Sequence, residues 1–133
     1  MLNYNHVSEV WLRTAEALLN PPTGVPVSWW PTVNYYLGGL RPNELTLLCA
    51  PTGAGKTQLL ANISAQLCMQ SIAHYVAPVE TGDTDFLSRV VSAFEAEDLN
   101  NGGATSLERL KILTEKYAER VFNKKMYLST KSL

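Results

Sequence analysis

The sequence predicts an α/β domain, with helices layered on a mostly parallel sheet. Two nearly continuous apolar runs, residues 44–50 and 72–79, lack polar alternation, as do strands covered on both faces. Helical apolar spacing follows each of them, and a third short run at residues 125–130 follows the last helix. Strands alternating with helices are the pattern of a parallel layered domain. A 133-residue chain that is 46% hydrophobic and 17% charged can bury a core, which excludes a disordered or collagen-like chain.

Taken in order, Val7, Trp11, Thr14, Ala15 and Leu18 fall at helical spacing over residues 6–19, and Pro21-Pro22 stops that helix. Residues 20–31 are rich in proline and read as a stiff connector. In it Trp29 and Trp30 either pack over the sheet edge or form an aromatic platform. A short helix is expected over residues 32–37, closed by Gly38-Gly39. Residues 44–50, ELTLLCA, form the first expected strand. The next helix, residues 56–70, shows Leu59, Leu60, Ile63 and Leu67 on one face. After the second strand Asp83 is placed to cap a helix carrying Phe86, Leu87, Val90, Val91 and Phe94. Residues 100–104, NNGGA, read as a loop. Thr105 to Glu108 reads as a capping box opening a helix that buries Leu107, Leu110, Leu113, Tyr117 and Val121.

Bulk features narrow the function. Lysine and arginine number 11 against 12 acidic residues, so net charge is -1 and there is no global positive field to hold a polyanion. Cys49 and Cys68 lie in apolar stretches and read as small buried hydrophobes of a reducing compartment. No zinc spacing exists, and no window approaches the roughly 18 apolar residues of a membrane span. Polar residues near the amino terminus replace the apolar run of a signal peptide. The expectation is a soluble cytoplasmic chain without a membrane partner.

Between the first strand and its helix stands Ala50-Pro51-Thr52-Gly53-Ala54-Gly55-Lys56-Thr57. This is the phosphate-binding pattern with alanine in the first glycine position. Small residues let backbone N–H groups curl around a phosphate, and the positive end of the following helix adds its field. Lys56 brings an ammonium to the outer phosphates of ATP, and the Thr57 hydroxyl suits Mg²⁺. The candidate nucleotide-binding residues are thus Ala50 through Thr57, with Gln58 next to them. An ordinary glycine-rich turn is the alternative.

Glu80 lies 24 residues after Lys56, just beyond the second expected strand. Carboxyl ends of parallel strands share one edge, which puts Glu80 on the rim of the phosphate loop. A carboxylate there can orient or deprotonate the water that attacks the terminal phosphate; a solvated loop glutamate is the alternative. Arg89, nine residues on, is a weaker candidate for touching a nucleotide or a neighbouring subunit. Asp83 and Asp85 read as helix-start residues and His74 as a satisfied core histidine.

Together these segments resemble the RecA-like ATPase core of DnaB-type replicative helicases and, more distantly, KaiC-type and RecA/RadA-type ATPases. The resemblance runs through Thr23-Gly24-Val25-Pro26, Leu37-Gly38-Gly39-Leu40-Arg41-Pro42, Glu44 to Leu48, APTGAGKT, and Val79-Glu80 followed by Arg89. Asn43, Trp29-Trp30 and Pro78 depart from the family pattern.

The resemblance implies a three-layer αβα P-loop fold. It also implies catalytic Lys56 and Glu80, ATP with Mg²⁺ as cofactors, a hexamer-like ring, and single-stranded DNA as the driven partner. Residues 1–22 are similar in position to the family's linker helix and connector, and residues 23–133 to the amino-terminal part of its ATPase domain. The expectation is a truncated domain, lacking the Walker B strand and DNA loops, that binds ATP or ADP without appreciable turnover. A RecA- or KaiC-like regulatory or recombination ATPase, or a non-hydrolysing nucleotide-binding module, shares the same residues.

Overall fold

A computed structural model of the chain describes residues 3–21, 23–96, 99 and 106–130. It is a mixed α/β structure, mostly helical, with a small parallel sheet of two strands. The chain divides between Leu47 and Leu48 into two compact units.

In the first unit, α1 spans Val7–Leu19 and is capped by His6, whose ring nitrogen Nδ1 accepts from the Ser8 N–H at 3.2 Å. None of its side chains is buried, and the expected stripe of Val7, Trp11 and Leu18 is exposed. Helix α2, Pro31–Leu37, starts on proline, whose fixed φ suits a first helical position. It closes at Gly38, whose N–H donates to the Asn34 carbonyl at 2.9 Å. Val25 and Leu40 then exchange both backbone hydrogen bonds at 2.9 Å, joining the T-G-V-P segment to the L-G-G-L turn. Only glycine fits at Gly39: a Cβ there would meet the Val25 carbonyl oxygen at 2.6 Å, and φ is +89°. Trp29 is half-buried and Trp30 exposed.

In the second unit, the glycine-rich loop opens α3, Lys56–Met69, and is followed by β1, His74–Val76, and α4, Asp83–Glu95. Helix α5, Leu107–Tyr117, runs into a π-helical turn, Ala118–Phe122, before β2, Met126–Leu128. The strands pair in parallel, His74 with Met126 and Val76 with Leu128. Two of the three expected strands are thus present, each shorter than its apolar run. They also alternate: Tyr75 and Tyr127 point outward and are exposed, so the sheet is not covered on both faces as the apolar runs suggested.

The core joins α3, α4 and α5 through Ala61, Ala65, Phe86, Val90, Val91, Leu113, Tyr117 and Val121. On α3 the buried face differs from the expected one. Ala61, Ser64, Ala65, Leu67 and Cys68 are inside, while Leu60 is exposed and Leu59 and Ile63 only half-buried. Helix separation depends on the side chains between the axes, and the small residues let α4 approach. Leu107 and Leu110 on α5 are exposed, unlike the deeper Leu113 and Tyr117.

Three local expectations are corrected. Residues 44–50 form no ladder with any described segment, and Leu45 and Leu47 are 85% and 75% exposed. A strand needs a neighbour for its N–H and C=O groups, and β1 and β2 pair only with each other. Cys49 is exposed rather than buried; both cysteines are free. Asp83 is the first helical residue, not the cap, which is Gly82; its carboxylate accepts from the Thr84 N–H at 2.8 Å.

At α5 the cap is Ser106, accepting from the Arg109 N–H at 3.2 Å. Arginine rather than glutamate stands three residues after that cap. Thr105 and the loop expected at residues 100–104 lie outside the described residues. Among the described residues no helix is long and apolar enough to cross a membrane.

Candidate functional site

The loop before α3 is built by backbone sign. Gly53 and Gly55 have φ of +77° and +96°, a region other residues rarely enter, and a Cβ on either would point into open space. The constraint there is conformational rather than steric. Between them Ala54 N–H donates to the Pro51 carbonyl at 3.2 Å, closing the turn.

The first i to i−4 bond of α3 runs from the Leu59 N–H to the Gly55 carbonyl at 2.9 Å. The N–H groups before it have no such partner, no side chain caps the helix, and no acidic residue stands in its first turn. Free N–H groups and the helix dipole at such a start favour an anion.

Lys56 Nζ donates to the Ala50 carbonyl at 2.6 Å and to the Pro51 carbonyl at 3.0 Å. An ammonium has three donors, so two are spent on the loop and one remains for a ligand. Ala50 and Pro51 therefore act here through their carbonyls.

The second wall comes from the turn between β1 and α4. Gly82 N–H donates to the Pro78 carbonyl at 2.8 Å, folding residues 78–82 back on themselves. This is a use for Pro78, whose carbonyl accepts while its missing N–H costs nothing at the end of a short strand. The turn brings Glu80 and Thr81 to a cavity of about 310 Å³ that Thr52, Gly53, Gly55, Lys56, Thr57 and Gln58 line from the loop. Arg89 lines it from α4, one turn beyond Asp85, whose carboxylate it meets at 2.8 Å. Loop, glutamate and arginine, separate in sequence, thus share one cavity.

This volume is at the low end of ligand pockets, roughly 300 to 1,000 Å³. A larger cavity of about 490 Å³ lies beside α4 and α5, but its lining, such as Leu87, Val91, Leu110 and Phe122, contains no ionisable group. Of these two, only the smaller one is lined by cations, Lys56 and Arg89.

The sequence matches no family model, and no solved structure matches the chain.

The donor set fits a nucleotide's phosphates with Mg²⁺. Mg²⁺ keeps several waters and takes one or two protein oxygens beside phosphate oxygens, so the Thr57 hydroxyl suffices without a dedicated cage. Among the described residues no three His, Cys, Asp or Glu side chains gather as such a cage. His74 lies apart: its Nδ1 bonds the Ile72 carbonyl at 2.9 Å and its Nε2 the Ser64 hydroxyl at 2.6 Å. A carbonyl only accepts, so Nδ1 carries the hydrogen and Nε2 accepts from Ser64 when the ring is neutral. Thr81 carries no spacing signal that singles it out in the sequence.

Proposed function

We propose that the chain is the ATP-binding core of a RecA-like ATPase of the DnaB helicase type. The observation that carries this reading is the convergence of Lys56, Thr57, Glu80 and Arg89 on one cavity at an uncapped helix start. An ordinary glycine-rich turn has no reason to collect a glutamate and an arginine from two later segments.

In this reading the N–H groups opening α3 and the Lys56 ammonium hold the outer phosphates. The Thr57 hydroxyl holds Mg²⁺, which when bound neutralises charge on the phosphate oxygens. Glu80, exposed at the cavity, takes a proton from the attacking water or orients it. Arg89 is held by Asp85 in the free site and is available to a phosphate by exchanging one anion for another.

A three-layer αβα domain, with residues 44–50 leading into the loop, is the fold this reading implies. Ring assembly, single-stranded DNA and a cytoplasmic setting belong to the same reading. The test is labelled ATP with Mg²⁺ against Lys56→Ala: affinity should drop at least about ten-fold, the scale of losing a charged hydrogen bond. Unchanged affinity refutes the assignment.

A further inference from the structure

Thr81 stands between Glu80 and Gly82 and lines the cavity with Lys56, Thr57 and Arg89. Its hydroxyl oxygen is sealed from solvent and has no hydrogen-bond partner, the one such side-chain atom among the described residues. The residue as a whole is only half-buried. A threonine hydroxyl has one donor and two acceptor positions, and leaving them unmade away from water is unfavourable. Native structures keep few such groups, and each calls for an explanation.

Rotation of χ1 by about 120° carries the hydroxyl to another staggered position, so the oxygen can leave its sealed position without backbone movement. The cavity wall next to it carries two cations, Lys56 and Arg89, which selects an anionic acceptor. The start of α3 and Lys56 approach from the loop wall, whereas Thr81 enters from the Glu80 wall. In the nucleotide reading Glu80 serves the terminal phosphoryl group, and Thr81, its neighbour in the chain, lines the same cavity.

We propose that Thr81 is the positioning residue by which this site distinguishes a nucleoside triphosphate from a diphosphate. Its hydroxyl turns inward to donate to an oxygen of the terminal phosphoryl group. In a diphosphate complex that acceptor is missing and the hydroxyl stays sealed. The proposal rests on the nucleotide reading above and adds a residue and a discrimination to it.

The experiment titrates residues 1–133 with a non-hydrolysable ATP analogue and, separately, with ADP, both with Mg²⁺. Thr81→Val keeps the shape and removes the hydroxyl; Thr81→Ser keeps the hydroxyl. The expected result is a loss of about ten-fold for the triphosphate in Thr81→Val, with ADP unchanged within about two-fold and Thr81→Ser near the parent for both. Equal loss for both nucleotides, or none for either, overturns the proposal. Should Thr81→Val fail to fold, Thr81→Ala against Thr81→Ser makes the same comparison. Lys56→Ala separates the two levels. If it abolishes binding while Thr81→Val leaves the triphosphate preference intact, only the role of Thr81 falls; if it leaves both affinities intact, the nucleotide site falls with it.

Discussion

The Lys56 ammonium donates to the carbonyl of Ala50 at 2.6 Å, six residues back along the chain, so the residue proposed to meet a phosphate also ties the loop to its own beginning. Removing it takes away that clasp along with the proposed phosphate contact. Lys56→Ala should therefore speed backbone hydrogen exchange at residues 52–55 even with no nucleotide present. Unaltered exchange in the free variant would mean that the glycine turn holds its shape without the lysine.

Glu95 on α4 accepts hydrogen bonds from Lys116 and from the Tyr117 hydroxyl on α5. The Lys116 bond, then the Tyr117 bond, holds the Glu95 carboxyl below its ordinary range. Lys116 is raised, chiefly by the same bond, and Tyr117 is raised by burial and then by Glu95. A carboxylate with a lowered folded pKa stabilises above its unfolded value of about 4.3 and loses that contribution as pH falls through the folded value. The raised groups contribute below about pH 10 and lose their share as pH rises beyond it. Urea midpoints should thus show Glu95→Gln less stable than the parent at pH 7, with the gap closing toward pH 3. A gap that persists at acid pH would show that charge on Glu95 is not what joins α4 to α5.

The sequence is legible where structure is decided within one turn of chain. His6, Gly38 and the glycine-rich loop mark the bounds of α1, α2 and α3 because caps and left-handed residues act locally. The parallel direction of the two strands was also readable, since helices separate the apolar runs, although which strands pair was not. Residues 44–50 show the limit: their apolar content marks a strand, but a ladder exists only with a neighbour, which no local pattern supplies.

The inner face of α3 was misread because leucines weigh more in a periodicity than Ala61 and Ala65, although the alanines meet α4. At the site, Lys56 and Thr57 followed from spacing, and Glu80 and Arg89 from order along the chain. Thr81 could not be found that way, because lacking a partner is a property of three-dimensional surroundings.

Gly39 provides a test in the first unit. The Cβ of Gly39→Ala would stand 2.6 Å from the Val25 carbonyl oxygen, and that oxygen accepts the Leu40 N–H. Backbone must move, and the left-handed φ adds strain of about 1 kcal/mol or more. Hydrogen exchange at the Val25 and Leu40 amides should accelerate. Protection equal to the parent would mean that the bridge tolerates a wider separation.

The contact between α3 and α4 yields the sharpest stability prediction, because Ala61 is fully buried and Phe86 is 1% exposed within one cluster. Ala61→Leu adds three carbons where there is no space and should cost about 1–3 kcal/mol by forcing the helices apart. Phe86→Ala leaves a cavity and should cost about 3–5 kcal/mol. The two errors are opposite in volume and lie in the same cluster, so the double variant should be more stable than the sum of the single losses allows, as the new leucine relaxes into the vacated space. Chemical denaturation of the four proteins measures that coupling. Strict additivity would mean that Ala61 and Phe86 are set in separate pockets, and the packing of α3 on α4 described above would need revision.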